Sequence, residues 1–209
     1  MVILLLYVKP NMIEEVAELR QGWRTVAIDP TGTMYGHRSH DVLASYDLQA
    51  ECRPIVNEDA AQHWTNFTLA QRQALAAKHL ATGECGCGYY VLSDPPFERM
   101  LGGWRWEQQL VTHYYKQAGV SQTYWHCAVF VTYWGYAAKF DVPLSFVNDL
   151  ADEEREKRWI RRVQFVRHEA IIVPNAMTVK LIADIQSIYT VPVMHLEEWQ
   201  NGNRQTTQD

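Results

Sequence analysis

Glu84-Cys85-Gly86-Cys87-Gly88 constrains this chain more than any other stretch. Two cysteines one residue apart bring their sulfurs to a common point only where the backbone curls tightly. Gly83, Gly86 and Gly88 allow that curl, because glycine reaches conformations that a Cβ forbids. Such a knuckle also turns backbone N–H groups toward the sulfurs and stabilises negative charge on them. Two further ligands complete a tetrahedral zinc site, which favours thiolate sulfur and imidazole nitrogen. His79 lies six residues before Cys85, near the end of an expected helix, and Cys52 precedes that helix. The pattern points to a three-cysteine, one-histidine site made of Cys52, His79, Cys85 and Cys87. Cys127 is the alternative to Cys52; it ranks lower because a cysteine inside an apolar strand pattern behaves as a small hydrophobe. The plainer reading makes these ordinary reduced cysteines on a glycine-rich hairpin turn. Four protein ligands would close the site, so the zinc would be structural. Metal binding would then contribute folding free energy on the order of 10 kcal/mol, by analogy with zinc-finger peptides.

Thiolate ligands require a reducing compartment. Val2 to Val8 is apolar, but no positive residue precedes it and no small-residue cleavage site follows. It reads as a buried strand closed by Lys9-Pro10 rather than as a signal peptide. No apolar run approaches the roughly 20 residues that span a bilayer. The expectation is a cytoplasmic protein with no membrane contact. With 47% hydrophobic and 21% charged residues the 209-residue chain is too apolar for disorder. A net charge of −5 argues against a strongly basic nucleic-acid binder while permitting a local basic patch.

The pattern along the chain is mixed. Asn11 to Gly22 reads as a short helix, with Ile13, Val16, Ala17 and Leu19 near one face. Trp23 to Ile28 reads as a strand, and Asp29-Pro30-Thr31-Gly32 as a turn. Thr68-Leu69-Ala70-Gln71 forms a capping box, which opens a helix running to about Leu80. Tyr89 to Leu92, His126 to Tyr136, Phe165 to Val173 and Thr190 to Met194 have strand character. Residues 98–118 lean helical, and 141–157 read as a helical or loop insertion. Met177 to Ile188 is an amphipathic helix, with Leu181, Ile182, Ile185 and Ile188 at helical spacing. Without repeats or a linker, residues 1–200 are expected to form a single zinc-stabilised α+β domain. Its β-rich central sheet or partial barrel carries a few helices and the zinc knuckle, and residues 201–209 are expected as a mobile polar tail.

A family resemblance rests on a series of short motifs. They are Trp23-Arg24, a turn with Gly32, Ala50-Glu51-Cys52, His79, Cys85-Gly86-Cys87-Gly88-Tyr89, Val131-Thr132-Tyr133-Trp134-Gly135, and Tyr189-Thr190-Val191-Pro192-Val193. In this order the chain resembles a group of uncharacterised bacterial and phage proteins with a C…H…C-x-C-G-Y zinc knuckle, a V-x-x-W-G strand and a terminal Y-x-V-P-V. The likeness runs from about residue 23 to 194 and implies the same four ligands. It departs between Ala137 and Trp159, where a long charged segment replaces a short glycine-containing turn. It implies architecture and no chemistry.

Between residues 155 and 168, six cations (Arg155, Lys157, Arg158, Arg161, Arg162 and Arg167) stand against Glu156 alone. With Trp159 and Phe165 interleaved, these are the residue types that hold phosphates and stack on bases. Arg155, Lys157, Arg158, Trp159, Arg161 and Arg162 are the candidate contacts to nucleic acid or another partner. In a strand neither face would be purely basic, so a solvated edge beside a core strand is the blander reading. His37, His40 and Asp41 read as a polar loop rather than a second metal site. His126 and Cys127, adjacent on a strand, point to opposite faces and make a poor nucleophile pair. The eight tryptophans and eleven tyrosines either pack the β core or anchor a protein interface. Together these features indicate a non-enzymatic, zinc-stabilised adaptor or complex subunit contacting protein, with nucleic acid as a further candidate partner. The rival is a zinc-dependent hydrolase whose His79, Cys85 and Cys87 leave a position open for water, with Glu84 as base.

Overall fold

The computed structural model describes residues 12–36, 48–51, 67–82, 88–93, 110–115, 120–140 and 160–206. In chain order these form β1 (Met12–Ile28), β2 (Met34–Gly36), β3 (Leu48–Gln49), α1 (Leu69–Thr82), β4 (Tyr89–Leu92), β5 (Leu110–Tyr115), β6 (Val120–Phe140) and β7 (Ile160–Val173). Then come α2 (Val179–Tyr189), β8 (Val193–His195) and α3 (Leu196–Thr206). The class is α+β. The strands hydrogen-bond into an eight-stranded sheet in the order β2-β1-β4-β7-β6-β5, with β3 and β8 pairing on β7 and β1 also pairing with β6. β6 and β7 are thus neighbours, although residues 141–159 separate them in the chain. Among the described residues no helix is long and apolar enough to cross a membrane.

The chain divides into two compact units, Met1–Gly22 with Asp47–Ser93 and Thr132–Arg167, and Trp23–Tyr46 with Asp94–Val131 and His168–Asp209. Here the division falls inside β1, β6 and β7, where composition carries no boundary signal.

In the first unit, β4 lies antiparallel to the start of β7, with Tyr89 opposite Val163 and Leu92 opposite Ile160. Leu48 and Gln49 of β3 pair with Val166 and Phe165. α1 begins at the expected capping box: Thr68 N–H donates to Gln71 Oε1 (2.8 Å) and Gln71 N–H to Thr68 Oγ1 (3.2 Å). The Trp134-Gly135 step of β6 also has a local cause. Gly135 has φ +80°, and a Cβ there would stand 2.7 Å from the Phe165 ring, which itself stacks on Trp134 at 5.4 Å.

In the second unit, the Asp29 turn closes the β1–β2 hairpin as expected. The Asp29 carboxylate accepts from Thr31 N–H (2.8 Å), Thr33 N–H (3.0 Å) and the Tyr35 hydroxyl (3.0 Å). α2 starts at Val179, two residues after the expected Met177, with Thr178 as N-cap accepting from Leu181 N–H. Its Ile185 and Tyr189 are buried, and the Tyr189 hydroxyl accepts from Met34 N–H. β8 runs parallel to the end of β7, Ile171 opposite Val193.

Three expectations are corrected. Residues 12–22 are strand, not helix: of the supposed helical face only Val16 is buried, while Ile13 is 37% and Leu19 62% exposed. Their apolar spacing was incidental, and pairing with remote strands decides the conformation. Residues 110–115 are strand as well, in register with residues 120–125 of β6. Residues 201–206 of the expected polar tail are helical, as the end of α3. Asn175 Oδ1 accepts from Glu197 N–H at 3.0 Å near the first turn, and Trp199 packs edge-on against Trp23 at 5.2 Å. The expected strand at 2–8, the insertion at 141–157, the loop residues His37, His40 and Asp41, and residues 207–209 lie outside the described residues.

Candidate metal centre

α1 is the scaffold of the candidate site. Alternating turns of Ala76 and Leu80 bury one side of it, and they pack in a cluster with Ala50, next to which Leu75, Tyr89 and Tyr136 are partly buried. The alanines matter, because small side chains at 50 and 76 let the segment after β3 approach the helix closely. Ala50 N–H donates to Gln164 O at 2.8 Å, tying this segment to β7. Glu51 pairs with Arg72 on α1 at 3.1 Å, and Arg72 also donates to Phe67 O at 2.9 Å. His79 occupies the last turn of α1, beside Leu80. There the Thr82 hydroxyl donates to Lys78 O at 3.2 Å.

Gly88 lies just past the C-x-C pair. Its φ is +104°, and a Cβ would stand 3.0 Å from Leu80 Cδ2, 3.0 Å from Val163 O and 3.3 Å from Arg162 Cβ. Glycine is therefore demanded by both backbone and space at this position. The next residue, Tyr89, donates its hydroxyl to Gln49 O at 3.2 Å. Three pieces of chain thus meet at the C-terminal half of α1: the end of the Gln49–Glu51 segment, the helix turn bearing His79, and the start of β4.

Of the four expected ligands His79 is described, whereas Cys52, Cys85 and Cys87 lie outside the described residues. Among the described residues no group of three or more His, Cys, Asp or Glu side chains is arranged to hold a metal. Cys127 belongs to the second unit and His79 to the first. Cys127 is fully buried in β6, and burial pushes its thiol well above the ordinary range.

The basic segment is placed in part. Arg155, Lys157, Arg158 and Trp159 lie outside the described residues. Arg161 and Arg162 are 8% and 5% exposed, so β7 is no solvated edge at this point. Arg161 bonds Glu14 at 2.9 Å and donates to the Tyr133 hydroxyl, with its guanidinium 5.9 Å from the Tyr133 ring centroid. Nothing in the local sequence marked Glu14 as its partner; the surplus of cations over anions near residue 160 was the only hint that a remote carboxylate was needed.

Two more titratable groups are buried in the second unit. His168 faces Arg24, Nε2 to Nη1 3.4 Å, and both are nearly inaccessible. Burial and the adjacent guanidinium push the His168 imidazole down to about 3, so it is neutral at physiological pH. With Nε2 accepting from Arg24, the ring proton resides on Nδ1.

Comparison with protein-family models, with curated proteins and with solved structures gives no match. The functional reading accordingly rests on the residues and geometry of the chain itself.

Proposed function

We propose that this chain is a non-enzymatic, zinc-stabilised binding protein of the cytoplasm, an adaptor or complex subunit whose zinc is held by Cys52, His79, Cys85 and Cys87. The observation that carries the reading is the meeting of their flanking residues on one turn of α1. Ala50, two residues before Cys52, shares a buried cluster with Leu80. Gly88, one residue after Cys87, stands against the same Leu80 side chain. Thr82, three residues before Cys85, ends the helix that carries His79. Two residues of chain reach at most about 7 Å, and consecutive Cα atoms are about 3.8 Å apart. Both flanking segments are therefore within covalent reach of a common point near His79. The donor chemistry, three thiolates and an imidazole, suits zinc in a closed tetrahedral site.

In this reading the zinc joins the end of the β3 segment, α1 and the entry to β4. Those pieces share a small apolar cluster, the Glu51–Arg72 ion pair and the Tyr89–Gln49 hydrogen bond, and the metal would add to them. A protein partner is favoured over nucleic acid, because Arg161 and Arg162 are withdrawn from the surface. Exposed Val179 (79%) and Ile188 (43%) on α2 supply apolar area of the kind protein contacts use.

The test is metal content and fold in one series. Purified wild-type protein should carry one zinc per chain, and Cys52→Ser should lose it together with cooperative unfolding. A Cys52→Ser protein that stays folded and keeps its zinc would favour the three-ligand hydrolase. A folded wild-type protein without zinc would end the metal reading altogether.

A further inference from the structure

We draw no further inference here: the strongest candidate, the cleft at the start of α3 lined by Asn175, His195, Glu197, Glu198 and Asn201, rests on two exposed first-turn carboxylates at a helix N-terminus, and no second observation among the described residues points to a ligand there.

Discussion

Replacing Gly88 with alanine should be among the most damaging single-methyl additions in the chain. The backbone there has φ +104°, outside the range that residues with a Cβ adopt without strain. Holding alanine in such a region costs on the order of 1–3 kcal/mol. The added methyl would also meet Leu80 Cδ2 and Val163 O, both at 3.0 Å. Leu80 can rotate, but it is 1% exposed and packed with Ala50 and Ala76. Val163 O belongs to the backbone of β7, so it can retreat only by distorting the strand. Overpacking of this kind adds about 1–3 kcal/mol. A total near 3 kcal/mol corresponds to a fall in Tm of roughly 6–12 °C for a chain this long. Gly202→Ala is the internal control, since a Cβ at that α3 position meets nothing within 4 Å. In a solvent-exposed helix the same substitution should stabilise by about 1 kcal/mol. Thermal melts followed by far-UV circular dichroism, with urea titrations beside them, read both variants. Opposite signs are expected. A Gly88→Ala protein within about 1 kcal/mol of wild type would refute the close approach of β4, β7 and α1.

Glu14→Gln should destabilise by about 1–3 kcal/mol, because the Arg161 guanidinium, 10% exposed, loses its carboxylate while Glu14 itself is 23% exposed and partly screened. A double-mutant cycle with Arg161→Met in urea should return a coupling of about 1 kcal/mol, and strict additivity would count against the pair. His168, held down to about 3 in the folded state, gives stability a pH dependence of definite sign. The unfolded chain takes up a proton near the ordinary histidine value and the native state does not. Stability is therefore fully present above pH of about 6.5 and falls by about 1.4 kcal/mol per unit as pH drops toward 3. His168→Asn should flatten that slope in urea titrations between pH 6.5 and 4.5; superimposable slopes would place the pH dependence elsewhere.

What the sequence made legible was chiefly what is settled within a few residues. Thr68 and Gln71 cap each other, so the start of α1 could be read from four letters. Asp29 satisfies donors only two and four residues on, so its turn could be read as well. Tyr89–Leu92 matched its strand because aromatic and β-branched residues bounded by turn formers leave few alternatives. The misreadings share the opposite property. β1 begins among polar residues, with only Val16 buried before Gly22, and its conformation is imposed by strands far along the chain. α3 contains Asn201-Gly202-Asn203, a breaker signal by itself, yet it is held as helix by Asn175 and by Trp23 at the other end of the sequence.

The candidate site divides along the same line. Cysteine and histidine types, together with the glycines around them, could nominate ligands, because ligand chemistry is a property of single residues. The supports could not be nominated. Ala50 and Ala76 look like filler until they let a segment lie against a helix. Arg161 and Arg162 look like half of a basic patch until β7 is found between β4 and β6. In a strand with neighbours on both sides, a cation must find its counter-charge within the fold, and each face of the sheet poses that problem separately. Glu14 meets it on the Arg161 face.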